Sequence, residues 1–313
     1  MKTKELRKVE IDAKKGLVKL PDGKLYEVPK PNIDPRREVA ICIVCNNAIR
    51  YIDCETGKHY HNKPKGLKRA KNSIIWYVKY ALTKFFEGNR ELARIRLLIK
   101  VRRVNGHISF EQCTEEDQSK LDFANKSLNK LIYQEDPDVP REPVAPWGSR
   151  GMGGDIKTVS WGLSSWDKHF NSRQLLTLTQ LVKLIREAGR RVEKKKLQEG
   201  LNPEAARKYA EAVVTYLSMA LAKHADYNSI TTGWHSVFLI VRNTLSFRGI
   251  AMQWNFCDLN PLVDYTGSWT RSLNSIIKGL KYLIYAIHGS EDNCTPVSYT
   301  HLRAHETSLH LVC

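Results

Sequence analysis

Residues 225–269 read ADYNSITTGWHSVFLIVRNTLSFRGIAMQWNFCDLNPLVDYTGSW. The stretch keeps neither the apolar period of a helix nor that of a strand. It sets Trp234, Trp254 and Trp269 among Asp226, Asn228, His235, Arg242, Asn243, Asp258 and Asn260. Aromatic rings mixed with short polar side chains in irregular sequence have two common uses. They pack a buried connection whose polar atoms satisfy backbone, or they line a cleft. Asn260-Pro261 within it reads as a turn. Helical patterns lie on both sides, so this connection decides how the helices around it are joined.

Upstream, Asn202-Pro203-Glu204 starts a helix with proline in its first position, and Tyr209, Val213, Tyr216, Leu217, Ala220 and Leu221 carry it to Lys223. An earlier helix is expected to be capped by Ser172, with an apolar stripe of Leu175, Leu178, Val182 and Ile185. Lys194, Lys195, Lys196 and Gly200 close it. Trp161, Trp166 and Phe170 lead into that helix, and downstream SLNSIIKGLKYLIYAIHG predicts another from about Ser272 to His288. Residues 134–158 carry Pro137, Pro140, Pro143 and Pro146 followed by GSRGMGGD, and read as a flexible connection. Their glycines lack the Gly-x4-Gly-Lys-Ser/Thr order of a phosphate loop.

The first third is different in kind. Residues 16–28 predict two strands around Pro21-Asp22-Gly23. Residues 94–113 predict a hairpin about an Asn105-Gly106 type I′ turn, with Ile95, Leu97, Ile99 and Val101 alternating with Arg94, Arg96, Lys100 and Arg102. One face would be apolar and the other basic, with Leu98 interrupting the alternation. Thr114-Glu115-Glu116-Asp117 opens a helix with an acidic first turn that runs to about Tyr133 through Leu121, Ala124, Leu128 and Leu131.

Charge follows the same division. Of the formal net charge of +17, residues 1–110 carry 26 Lys/Arg against 11 Asp/Glu, whereas residues 111–295 carry 23 against 21. A basic region of this kind suits a polyanion, most simply DNA or RNA, or serves as a solubilising face. The candidate phosphate-facing residues are Lys65, Lys68, Arg69 and Lys71 of the run KPKGLKRAK, with Arg96 and Arg102 of the hairpin. Trp76, Tyr77 and Tyr80 follow the run, where aromatics either stack on bases or build a core. No apolar run approaches the ~20 residues of a membrane helix. The charged N-terminus lacks the apolar core of a signal peptide, so a prokaryotic cytoplasmic location is expected.

Cys42-x2-Cys45 has the spacing of half a zinc knuckle. Cys54, His59 and His61 lie near, but no second Cys-x2-Cys follows. The pair therefore reads either as a partial zinc site or as two ordinary reduced cysteines, and no helix start follows Cys42 to favour a redox pair.

The C-terminal residues read differently again. Pro296–Thr307, PVSYTHLRAHET, back-translates to a transposase-type sequencing adapter. Ser308–His310 falls at its variable index, and Leu311-Val312-Cys313 at its continuation. Residues 296–313 are expected to be read-through rather than native sequence, the gene to run on, and the chain to be a fragment. His301, His305 and His310 are then no metal site.

Three segments together resemble one known family: WGLSSWDKHFNSRQLLTLTQLVKLIREA, YAEAVVTYLSMALAKHADYNSITTGWH and MQWNFCDLNPLVDYTGSW. They resemble the middle of the adenine-specific DNA methylases that contain a zinc ribbon. The hairpin and the Cys42/Cys45 knuckle fall in the same order, and the resemblance covers about 40–295. It implies a split S-adenosylmethionine-dependent methyltransferase of restriction–modification type, with DNA as partner. A glycine-rich cofactor loop would lie towards the N-terminus and an Asp-Pro-Pro-Tyr motif beyond the helix that follows Trp269. A flipped adenine would be held there for attack by its amino nitrogen on the cofactor methyl.

This chain departs from that pattern. Asp-Pro-Pro-Tyr is absent, Asn260-Pro261-Leu262-Val263 is the nearest string, and no glycine-rich loop follows a strand. The expected fold is therefore α+β: a basic, β-rich, partly zinc-ribbon-like region over 1–113, a helix and Pro/Gly linker over 114–158, and a helical region over 159–295. The central sheet of the Rossmann-type methyltransferase would be largely missing. Neither a catalytic nor a cofactor-binding residue is assigned. S-adenosylmethionine belongs to the parent protein, and zinc to Cys42 and Cys45 if to any pair. Asp226, Asn228, Trp234, His235, Asn243, Trp254, Asn260 and Trp269 become candidate scaffold of a target cleft. The missing N- and C-terminal parts of the parent chain are implied partners, and the alternative is a non-enzymatic nucleic-acid-binding module.

Overall fold

The computed structural model describes residues 8–12, 15, 17–27, 33–34, 39–41, 46–52, 58–60, 65, 74–89, 91, 93, 95–104, 107–144, 157–246, 250 and 252–288. The fold is α+β, with small antiparallel sheets early in the chain and long helices after them.

Three short strands, β1 (Glu10–Asp12), β2 (Leu17–Lys19) and β3 (Leu25–Glu27), form a meander. Its β2–β3 turn is closed by the Leu20 amide donating to the Lys24 carbonyl at 2.8 Å, with Gly23 at φ 84°. The sequence predicts β2 and β3; β1 adds to them. A second small sheet joins β4 (Ile33–Asp34), β5 (Val39–Ile41) and β6 (Ala48–Ile49), and β7 (Tyr51–Ile52) pairs with β8 (His59–Tyr60). Val39, Ala40 and Ile49 are buried here, and helix α1 (Ile74–Phe86) packs over β5 and β7.

The predicted hairpin forms as β9 (Ile99–Val104) and β10 (His107–Gln112), Val101 facing Phe110; its Asn105-Gly106 turn lies outside the described residues. The apolar face is less covered than the alternation implies, for Ile99 is 64% exposed. On the basic face Arg102 pairs with Glu111 at 3.2 Å, and Lys100 with Asp117 at 2.8 Å.

Helix α2 (Glu115–Tyr133) begins as its sequence requires, in a capping box. The Thr114 hydroxyl accepts from the Asp117 amide, and the Asp117 carboxylate accepts from the Thr114 amide at 2.8 Å. Leu121, Ala124 and Leu128 face inward. Leu128 meets Val139 and Leu175 in a small core with Leu131, Ile132 and Phe170 around it.

Residues 134–144 are not the flexible connection that their prolines suggest. Val139 and Val144 are buried, the Val144 amide donates to the Ser164 carbonyl at 2.9 Å, and the Asp167 amide to the Pro140 carbonyl at 2.8 Å. Asp136 binds Lys183 at 2.6 Å, and Asp138 binds Arg186. Prolines lower the entropy of the unfolded chain as well as ending helices, so a docked segment uses them too. The GSRGMGGD portion lies outside the described residues.

Helix α3 (Ser172–Gln198) starts one residue earlier than a Ser172 cap would allow. Asn171 is the cap, and it exchanges two 2.9 Å bonds with Gln174. At its other end the Leu201 amide donates to Lys196 and the Gly200 amide to Leu197, each at 3.1 Å, with Gly200 at φ 89°. This is the Schellman closure. Asn202 caps α4 (Pro203–Tyr227) through the Ala205 amide at 2.8 Å. The two helices approach closely, for a Cβ on Gly189 would stand 2.6 Å from Val214 Cγ2. After α4 come the two-stranded ribbon β11 (Gly233–His235) and β12 (Ile240–Arg242), an irregular run, and α5 (Trp269–His288). Among the described residues no helix is long and apolar enough to cross a membrane.

Candidate functional site

The irregular stretch after α4 is held by side chains, as short polar residues between helices allow. At its centre is Asn228, 1% exposed at the C-terminal cap of α4. Its Oδ1 accepts from the Leu259 amide at 3.1 Å and from Gln174 Nε2 at 3.3 Å. Its Nδ2 lies 3.3 Å from His224 Nε2, one helical turn back. His224 Nδ1 lies 2.8 Å from the Gly267 carbonyl, which can only accept. The proton therefore sits on Nδ1, and Nε2 receives the Asn228 amide. Burial pushes the His224 pKa below its ordinary value, partly opposed by the bond to Gly267.

The chain of bonds continues into α3. Gln174 Nε2 also donates to the Cys257 carbonyl at 3.0 Å. Asn171, which caps α3, uses its own Nδ2 to reach Asp258 at 2.8 Å. Arg173 Nε and Nη2 converge on the same Asp258 oxygen at 2.9 and 2.6 Å. The Thr232 hydroxyl donates to the Ser229 carbonyl at 2.8 Å and accepts from the Cys257 amide at 3.2 Å. Burial raises the Cys257 thiol to about 11, with Asp258 adding to it, so it stays protonated near neutrality. One buried network thus joins the start of α3, the end of α4, residues 257–259 and the entry to α5.

The remaining predicted scaffold residues divide among separate tasks. Asp226 accepts from Asn243 Nδ2 at 2.8 Å and from the Leu245 amide at 2.9 Å, fixing the short turn Thr244–Ser246. Asn260 accepts from the Leu262 amide at 3.0 Å, the Asn-Pro turn that the sequence predicts. The Trp234 ring lies edge-on to Phe110 of the hairpin at 6.1 Å. His235 lies against Phe238 at 4.7 Å, with Phe238 69% exposed. Trp269 is the first residue of α5, just after Ser268, whose hydroxyl accepts from the Arg271 amide at 3.1 Å. Trp254 is 61% exposed and edge-on to Trp161 at 5.4 Å, with the Lys79 ammonium 5.0 Å from the Trp161 ring.

Lys65, Arg96 and Arg102 are exposed; Lys68, Arg69 and Lys71 lie outside the described residues. Cys42 and Cys45 also lie outside them, and among the described residues no group of three or more His, Cys, Asp or Glu is placed to hold a metal ion. The described glycines with positive φ lie in the β2–β3 turn (Gly23), after α1 (Gly88), at the α3 terminus (Gly200) and at two close contacts (Gly162 and Gly267).

Sequence reasoning misses Asn171, Arg173, Gln174, His224 and Cys257. Two of these carry a readable signal. Asn171-x-x-Gln174 has capping-box spacing ahead of an apolar stripe, and His224 and Asn228 stand four apart, on one helix face. No protein-family model, curated protein or solved structure matches the chain.

Proposed function

We propose that this chain is the DNA-facing middle part of an S-adenosylmethionine-dependent DNA methyltransferase, of the adenine-N6 class, with its chemistry supplied by sequence outside it. In this reading residues 225–269 brace the wall of the target-base cleft. The basic first third tracks the DNA backbone as a partly zinc-ribbon-like region, and the central Rossmann-type sheet comes from the rest of the parent.

The observation that carries the reading is how the stretch uses its polar groups. Asp226, Asn228, Asn243 and Asn260 each hold backbone or another side chain in place. Rigid, fully bonded support is what a site needs around its reacting groups. The excess of basic residues before position 110 supports the choice of DNA.

Two measurements test it. Sequence continuing from Thr295 in the genome should encode a strand followed by Asp-Pro-Pro-Tyr or Asn-Pro-Pro-Tyr; an intact frame that stops soon after it without either motif sinks the reading. Calorimetric titration of the chain with S-adenosylmethionine should give no binding heat. The second reading, a non-enzymatic nucleic-acid-binding module, is favoured by the same charge asymmetry. It predicts duplex binding that weakens steeply with salt, together with a parent that has no methyltransferase motif.

A further inference from the structure

Three segments far apart in sequence converge on one aromatic cluster. Trp161 ends the short 3-10 turn Lys157–Trp161, Trp254 belongs to the run before Cys257, and Lys79 lies midway along α1. The approach is fixed by backbone. Gly162, at φ 94°, lets the Thr83 backbone come so near that an added Cβ would stand 2.7 Å from Thr83 Cα. Thr83 is one helical turn beyond Lys79, so this contact sets the Lys79 ammonium over the Trp161 ring. The Trp254 loop is pinned by the Cys257 amide and carbonyl and by Asp258. Trp254 is nonetheless 61% exposed. A large ring beside an anchored segment and left in solvent has a face available to a ligand.

From this we propose that Trp254, backed by Trp161 and flanked by Lys79, is a stacking platform for an unpaired base of DNA. Every base offers a π face to such a ring, and a neighbouring ammonium suits the phosphate that travels with the base. The occupant follows from charge: α1 belongs to the basic first 110 residues, with 26 Lys/Arg against 11 Asp/Glu, and Lys79 carries that charge to the tryptophans. The proposal rests on the DNA-facing reading above and adds to it a site for single-stranded or locally opened DNA.

The test is fluorescence anisotropy of the full chain with a labelled single-stranded oligonucleotide and with a matched duplex, at two salt concentrations. Trp254→Ala should weaken single-strand binding about five- to a hundredfold, the range of one base–aromatic stack, and leave duplex binding within about twofold. Trp254→Phe should recover most of the loss. Lys79→Gln should make the single-strand salt slope shallower by about 0.7. Exposure of the side chain means that Trp254→Ala should fold, which circular dichroism checks. If wild type binds duplex and Trp254→Ala binds single strand as tightly as wild type, the platform is wrong while the DNA reading stands. Wild type that binds neither form removes both. Loss of self-association in Trp254→Ala, with single-strand affinity unchanged, marks a contact between protein copies and overturns the platform.

Discussion

Asn228 and Gly267 show how few atoms hold the connection between α4 and α5. Asn228 satisfies a backbone amide, a glutamine and a histidine at once, and without it the Leu259 amide and His224 Nε2 lose the partner that the fold gives them. Asn228→Ala should cost about 2–4 kcal/mol in denaturant unfolding, because buried donors then lose partners that water cannot replace. Gly267 carries the carbonyl that His224 binds, at φ 86°, with Tyr227 pressed on it: an added Cβ would lie 2.3 Å from Tyr227 Cβ. Gly23 has nearly the same φ, 84°, with nothing within 4 Å. Gly23→Ala should therefore cost only the backbone term, about 1–2 kcal/mol, and Gly267→Ala clearly more. Equal losses would show that the Tyr227 contact yields without cost.

At the scale of the element, α3 and α4 have caps that differ in what else they do. Asn202 only caps α4, whereas Asn171 caps α3 and also holds Asp258. Asn202→Ala should cost about 1 kcal/mol, the ordinary value of a cap. Asn171→Ala should cost more, and a double-mutant cycle with Asp258→Ala should give a coupling of about 0.5–3 kcal/mol, against none for Asn202 with Asp258. Additive effects at Asn171 and Asp258 would show that the 2.8 Å bond contributes nothing. The same elements show what the chain reveals in advance. The bodies of all five described helices except α1 follow from apolar period and terminal residues, as does the Asn105-Gly106 hairpin. The partners of Asp258 could not be foreseen, because they lie 85 and 87 positions away. Nor could the docking of residues 134–144, where local composition argues for a loop and Val139 and Val144 find their cover only in the folded chain. Of the candidate site, the polar residues of 225–269 were legible as a group, but not their allotment to separate turns and bonds.

Over the whole molecule, titrating groups define the pH range in which the fold holds. His169 and His224 are both buried, and burial lowers the pKa of each below the ordinary 6.5. His169 donates from Nδ1 to the Ser165 carbonyl at 3.2 Å and receives the Thr158 hydroxyl at 2.8 Å, so it too is held neutral. Unfolded, both take up a proton near pH 6.5. Their contribution is thus complete above that pH and is lost as pH falls through 6.5 towards the folded values. Carboxylates such as Asp136, held below the usual range chiefly by Lys183, begin to lose theirs only near pH 4. On the alkaline side the Cys257 thiol, raised from 9.0 to about 11, favours the folded state less as pH climbs through that interval. The melting temperature should therefore be level from about pH 7 to 8.5 and fall between pH 6.5 and 5, before the carboxylates titrate. His224→Gln, which keeps a donor for Gly267 and an acceptor for Asn228, should lower the plateau but lose less between pH 7 and 5 than wild type. A wild-type melting temperature unchanged over that range would mean that one or both imidazoles accept a proton in place, with Asn228 turning its amide to suit.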